Sequence, residues 1–403
     1  MDVLWGMLGI AVILSIAYLL SRDRKSIKLR TVAGALILQI IFGFIVLKWE
    51  AGKKVFEYIT NIVQSIIDSS SEGIGFLFGG LLGIEGVGTI FAFEVLTVII
   101  FFSSLISILS YLGIMQFITK MVGGFLGKVL KTSKPESLSA AANIFMGLTE
   151  APLVVKPYLK RMTKSELFAV MTGGTASVSG SVLIGYSLLG VPLEYLIAAA
   201  FMAAPAGLLI AKILMPETEA VDEQIIESTD EKEATNVVDA AANGALTGLQ
   251  LALNIGALLI AFISIIALIN LGLESVGGLF GFENITLEGI FGVILAPLAF
   301  VIGVPWEEAI MAGSYIGEKF TLNEFVAYSS FAADMGQLSD KTIIVVSFAL
   351  CGFANLGAMG MIIGGMGGLA PTRKGILSKY AFFAVVGGTL ANLLSASIAG
   401  MLL

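Results

Sequence analysis

Apolar runs of about 18 residues or more recur along the whole chain, separated by short polar clusters, as a bilayer core about 30 Å thick requires of spanning helices. The pattern predicts helices at 3–20, 31–48, 89–112, 164–189, 192–214, 247–272, 341–368 and 376–402. Residues 54–70, KVFEYITNIVQSIIDSS, instead alternate apolar and polar positions at helical spacing, which suits a helix lying in the membrane interface. Residues 115–130, with Lys120 and Lys128 among apolar neighbours, suit a second one. Two further segments, 133–161 and about 305–335, are too long for loops, and too polar and interrupted by Gly and Pro for crossings. Re-entrant hairpins explain them, because non-helical backbone is tolerated at membrane depth only where protein buries it or water lines it.

The two segments share a plan. Thr149-Glu150 precedes a helix opening at TKSE, Thr163 to Glu166, that breaks within 173–181, GGTASVSGS. Asn323-Glu324 precedes LSDK, Leu338 to Lys341, and a helix that breaks within 351–360, CGFANLGAMG. An odd number of crossings separates them, so the hairpins enter from opposite faces. The expected fold is an all-α polytopic membrane protein: eight transmembrane helices plus two re-entrant hairpins in an inverted repeat, with two broken helices, the pattern of a midplane transporter site.

Composition agrees: 57% of the 403 residues are hydrophobic and 13% charged, with a mean hydropathy of +0.95. There is no histidine, which removes Ser-His-Asp triads, imidazole metal ligands and imidazole proton relays. The single cysteine, Cys351, excludes an internal disulfide. The net charge of −7 sits in residues 216–233, PETEAVDEQIIESTDEKE, which hold eight acids and one lysine and read as a solvated inter-helix loop. No nucleic-acid partner is expected. Basic clusters at 22–30, 120–134, 156–164 and 373–379 all fall on the cytoplasmic side if both termini lie outside, with Lys48, Lys53 and Lys54 dissenting.

A carboxylate at bilayer depth costs about 2.5–3.5 kcal/mol on insertion scales, so Glu150 and Glu324 read as functional. Each has a small polar neighbour, Thr149 or Asn323, near a hairpin tip. Carboxylates accept hydrogen bonds from paired hydroxyls such as a ribose presents, and Asn323 and Asn355 add donors and acceptors. Phe353, Leu148 and Val182 can face a flat ring. Asn143, Ser177 and carbonyls freed at the breaks are hard oxygen donors suited to sodium. Glu94, lacking a repeat mate, reads as structural, Glu307 and Glu308 as favouring a helix N-terminus, and Asn254 and Asn270 as ties between helices.

GEKFTLNEFVAY, residues 317–328, resembles the G-x-K-x3-NEFVA-Y motif of concentrative nucleoside transporters, and LTEAPLVVKPYL, 148–159, resembles that family's Q-TEAPL segment. AANIF, SELFAVM, GVPWEEA and SFALCGFANL extend the similarity over nearly the whole chain. The resemblance implies a nucleoside importer driven by sodium or protons, not an enzyme, built as a homotrimer whose transport domain moves elevator-fashion across a scaffold. It implies scaffold helices and an interfacial helix in 1–112, a first transport repeat in 113–214, an acidic cytoplasmic loop and connector in 215–246, a scaffold helix at 247–272 and a second repeat in 273–403. Thr149, Glu150 and Val182 would meet the nucleobase; Glu324, Asn355 and Phe353 would hold the ribose end. Sodium would bind the side chains of Asn143, Thr149 and Ser177 and the carbonyls of Met146 and Val178. The chain departs from the family at Leu148, often Gln, and at Gly357 and Ala358, often Ser. Fewer polar contacts there lead us to expect a tilt toward purine nucleosides, whose larger ring gains more from an apolar wall. A channel or an intramembrane carboxylate enzyme is the alternative from another class.

Overall fold

The structure, a computed structural model, describes residues 2–81, 90–220, 234–279 and 285–403. Most of the acidic segment, 221–233, lies outside the described residues. Helices α1 (Asp2–Leu20), α2 (Leu29–Leu47) and α3 (Glu50–Phe78) lead into α4 (Phe91–Glu94), α5 (Leu96–Tyr111) and α6 (Ile114–Leu130). The first hairpin is α7 (Lys134–Ala142) and the short α8 (Ala151–Val154); the broken helix is α9 (Lys164–Ala176) and α10 (Gly180–Leu188), and α11 spans Leu193–Leu214. After α12 (Val237–Leu279) and α13 (Leu287–Val301) the order recurs. The second hairpin is α14 (Trp306–Thr321) and α15 (Glu324–Asp334), followed by α16 (Asp340–Leu350), α17 (Ala358–Met361), α18 (Gly367–Leu369) and α19 (Lys374–Met401).

Seven of the described helical segments are long and apolar enough to cross a membrane. The expected span 341–368 is not one of them: α16 has 11 residues, about 16 Å at 1.5 Å per residue, and only as a pair with the segment beyond the break can it bridge the bilayer. Two boundaries also differ from expectation. The 247–272 helix extends to 43 residues as α12, and 54–70 lies inside the 29-residue α3. The α13 helix was not foreseen; it meets α14 at a bend of 116°.

Helix starts follow local chemistry. Thr163 and Glu166 form a capping box, Thr163 N donating to Glu166 Oε2 at 2.8 Å and Glu166 N to Thr163 Oγ1 at 3.1 Å. Asn323 caps α15 by accepting from Val326 N at 3.0 Å. Close packing elsewhere depends on missing side chains. Along α12, a Cβ on Gly244 would stand 2.7 Å from the Ser103 carbonyl oxygen, and one on Gly248 would stand 2.7 Å from Ile100 Cα. Spaced four apart, these glycines let α12 lie directly on the α5 backbone, and Ser104 Oγ donates across to Ala241 O at 2.9 Å. Likewise α1 lays Gly6 and Gly9 against Met401 and Ser397 of α19, and Gln39 of α2 donates to Met202 O of α11 and Ser395 Oγ of α19. The broken helix α9–α10 and helix α11 are almost wholly enclosed, whereas α5 and α12 keep broad apolar faces exposed.

Candidate functional site

The first break spans only Ser177, Val178 and Ser179, with Ser177 extended at φ −118° and ψ 172°. Gly173 and Gly174, expected to permit unwinding, lie inside α9. Their role is close approach: a Cβ on Gly173 would stand 3.1 Å from Asn143 Nδ2, a Cβ on Gly207 of α11 would stand 3.0 Å from Gly173 Cα, and Leu148 Cδ1 occupies the space a Gly174 side chain would take. The hairpin backbone docks on the break through Gly180 N, which donates to Phe145 O at 3.0 Å. Among the described residues no backbone N–H donates to the carbonyls of Met146 or Val178. Asn143 ends α7 with 1% exposure, and neither Oδ1 nor Nδ2 has a partner. Ser177 Oγ donates to Gly173 O at 3.0 Å, which leaves its lone pairs available. Of the five residues expected to ligate sodium, Asn143, Ser177, Met146 and Val178 thus belong to two segments docked on each other. Thr149, three positions beyond Met146, is exposed, its Cγ2 3.1 Å from a Cβ built on Gly365.

In the second half Glu324 opens α15 with 4% exposure, and its Oε2 accepts from Asn355 Nδ2 at 2.8 Å. Asn355 Oδ1 in turn accepts from Ala358 N at 2.9 Å, which caps the resumed helix. Asn323 is held differently from expectation, since its side-chain oxygen is engaged by the start of α15.

The halves meet at their breaks. Phe353 N donates to Ser177 O at 3.1 Å, and a Cβ on Gly147 would stand 3.6 Å from Phe353 Cε2. Gly147 N donates to Glu150 Oε2 at 3.3 Å. Glu150, Gly147, Phe353, Asn355 and Glu324 therefore form one chain of contacts. Leu148, Val182 and Ala358, expected at the solute, are buried at 2%, 1% and 0% exposure. Leu148 is spent on Gly174.

Two residues escaped the sequence reading. Asn392 of α19 donates through Nδ2 to Ala176 O at 2.7 Å and to Cys351 O at 2.8 Å, the carbonyl ends of both broken helices. Its Oδ1 accepts from Lys319 Nζ at 2.7 Å, and Lys319 Nζ also donates to Ala349 O at 2.8 Å. An Asn in the apolar run TLANLL was the available signal for the first, and the lysine of GEKF for the second. Other polar groups make structural contacts, as expected for Glu94 and Asn270, whereas Glu308 serves the start of α16 rather than its own helix and Asn254 accepts from Gln250 within α12 rather than from another helix. Glu94 Oε1 accepts from Ile90 N at 2.9 Å, Glu308 accepts from the N and Oγ of Ser339, and Asn270 joins α12 to Glu288 and Leu287 of α13. The described residues contain no cluster of three or more His, Cys, Asp or Glu able to hold a metal; amide, hydroxyl and carbonyl oxygens suit a weakly held monovalent ion instead.

Three family profiles cover most of the chain. Residues 8–81 match the N-terminus and 195–400 the C-terminus of the Na+ dependent nucleoside transporter, and 92–192 match a nucleoside recognition domain. A transporter of Bacillus subtilis, YutK, is 55% identical over 100% of both chains. The nucleoside permease NupC of Helicobacter pylori is 47% identical over 99% of this chain and 97% of its own. The structure of CNTnw in an inward-facing substrate-bound state matches with a TM-score of 0.96 at 52% identity, over 100% of this chain and 98% of that one. An outward-facing structure of a CNTnw variant matches equally, at 0.96 over the same shares. With the two docked hairpins and breaks these matches give one answer: the chain is a multi-pass membrane transporter, not an enzyme, and belongs to the Na+-dependent, concentrative nucleoside transporter family.

Proposed function

We propose that the protein imports nucleosides into the cell by symport with sodium, one ion at the junction of the first hairpin and first break, and one nucleoside between the Glu150 and Glu324 hairpins. The observation that carries this reading is the Asn143 junction. An enclosed amide whose oxygen has no partner, in two docked segments that also carry two carbonyls without a backbone donor, suits a cation. The Phe353–Ser177 hydrogen bond supports coupling, because it ties that junction to the element carrying Asn355, so ordering one side favours the other. Thr149 and Glu150 take the base, with Val182 and Phe353 as apolar walls. Glu324 and Asn355 take the ribose hydroxyls, with Asn323 and Ala358 behind them. Leu148 offers the base no hydrogen bond, which favours purines.

In this reading the loaded body crosses elevator-fashion and both termini face outward. The fixed frame is α5 with α12, whose exposed apolar faces are free for lipid and for the other subunits of a homotrimer. Helices α1 and α2, assigned by sequence to the scaffold, pack on α11 and α19 and so travel with the moving body. A tenfold sodium gradient supplies about 1.4 kcal/mol and 100 mV about 2.3 kcal/mol, enough together for a solute gradient of several hundredfold.

Proteoliposome uptake with sodium and proton gradients imposed separately, using a panel of purine and pyrimidine nucleosides, tests this. Uphill, sodium-dependent, saturable uptake with adenosine competing better than uridine is expected. Accumulation driven by protons alone would replace sodium with Glu150 or Glu324 as the titrating group, and uridine preference would discard the purine tilt.

A further inference from the structure

The repeat pairs α7 with α14 and α9 with α16. At the end of the first hairpin arm stands Asn143, enclosed and unpartnered. Near the end of the second stands Lys319, 2% exposed, its Nζ on the Ala349 carbonyl at the last turn of α16. No carboxylate is among its hydrogen-bond partners; the second partner is Asn392 Oδ1, a neutral acceptor. The carbonyl end of a helix carries partial negative charge and favours a cation, and the carbonyl ends of interrupted helices are where transporters coordinate their ions. An ammonium with carbonyl and amide oxygens at 2.7–2.8 Å is therefore surrounded as a bound monovalent cation would be.

We infer that Lys319 is a tethered cation holding, in the second half, the position an exchangeable ion takes in the first, and that it thereby limits coupling to one sodium per nucleoside. The inference rests on the reading of the Asn143 junction as the sodium site. Asn392 makes the arrangement mutual: the amide that accepts from Lys319 donates to Ala176 O at the end of α9, so the fixed charge and the exchangeable one act on carbonyl ends joined through one side chain.

The test measures initial uptake against sodium, and charge moved per nucleoside, in proteoliposomes of the native protein, Lys319→Ala and Lys319→Met. The native protein is expected to give a Hill slope of one and one charge per nucleoside. Lys319→Ala, which opens a space beside the same oxygens, is expected to lose at least tenfold of its rate at ordinary sodium, to regain it at high sodium, and to show a slope approaching two with two charges moved. Lys319→Met fills the space without a charge, so its slope stays at one and added sodium does not rescue it. A native slope of two, or a Lys319→Ala protein that melts like the native one and keeps a slope of one, overturns the inference. If Lys319→Ala does not fold, Lys319→Asn, which copies the amide of the first half, is judged by the same slopes. Sodium-independent uptake by the native protein overturns the ion reading itself, a different failure from an unchanged slope in the variant.

Discussion

Asn143 keeps both ends of its amide without a partner while almost fully enclosed, a condition that costs about 1–3 kcal/mol for each unsatisfied group. Ser177, one break away, spends its proton on Gly173 O and presents its oxygen to the same neighbourhood. In the proposed ion site, replacing Ser177 by Ala removes one ligand and leaves the carbonyls intact. The half-saturating sodium concentration is expected to rise about three- to tenfold, roughly 0.7–1.4 kcal/mol, with a smaller fall in maximal uptake. Sodium titrations of uptake check this; an unchanged half-saturation point removes Ser177 from the ion site. At this scale the sequence was legible where an ionisable or amide residue interrupts an apolar run, as with Glu150, Glu324, Asn143 and Asn355. Lys319 and Asn392 were not, because their meaning lies in each other and they are 73 positions apart.

Among elements, hydrophobic period and capping residues gave the order of helices, and TKSE marked the start of α9 at its capping box. Glycine was the misleading letter. In GGTASVSGS the first two glycines read as breakers, yet they continue α9, with Leu148 packed into the space over Gly174, and the chain opens only at Ser177. Contact distance decides between the two uses of glycine, and a single sequence does not contain it. The same holds for Gly244 and Gly248, which seat α12 on α5. Gly248→Leu would drive a side chain into Ile100 and Ser103. It is expected to destabilise by at least about 1–3 kcal/mol. Gly272→Leu on the same helix meets nothing within 4 Å and should be neutral. Melting curves of the two variants in detergent make the comparison; equal curves would deny the α5–α12 contact.

For the whole molecule, membrane class and the repeat of hairpin, broken helix and closing helix could be read from the pattern, because lipid forces backbone groups to be satisfied within helices. Which helices pack together could not. The first two fall in the stretch 1–112 that the resemblance places in the scaffold, and Gly6, Gly9 and Gln39 join them to α11 and α19. The proposed sodium symport carries net charge and adds a prediction at this scale. Collapsing a 100 mV potential at constant sodium gradient removes about 2.3 kcal/mol and should lower the steady-state accumulation ratio roughly fiftyfold for one net charge. Radiolabelled nucleoside in vesicles clamped with potassium and valinomycin gives the ratio, and indifference to voltage would exclude a net charge in the cycle.

Asn392 fastens both interrupted helices with the two protons of one amide. If the halves descend from a duplicated ancestor, this fastening constrains their later history: neither copy could drift at that spot without disturbing the other. Substitutions near Ala176 would then be expected to co-occur among relatives with substitutions near Cys351, even though the two segments are separated by nearly half the chain.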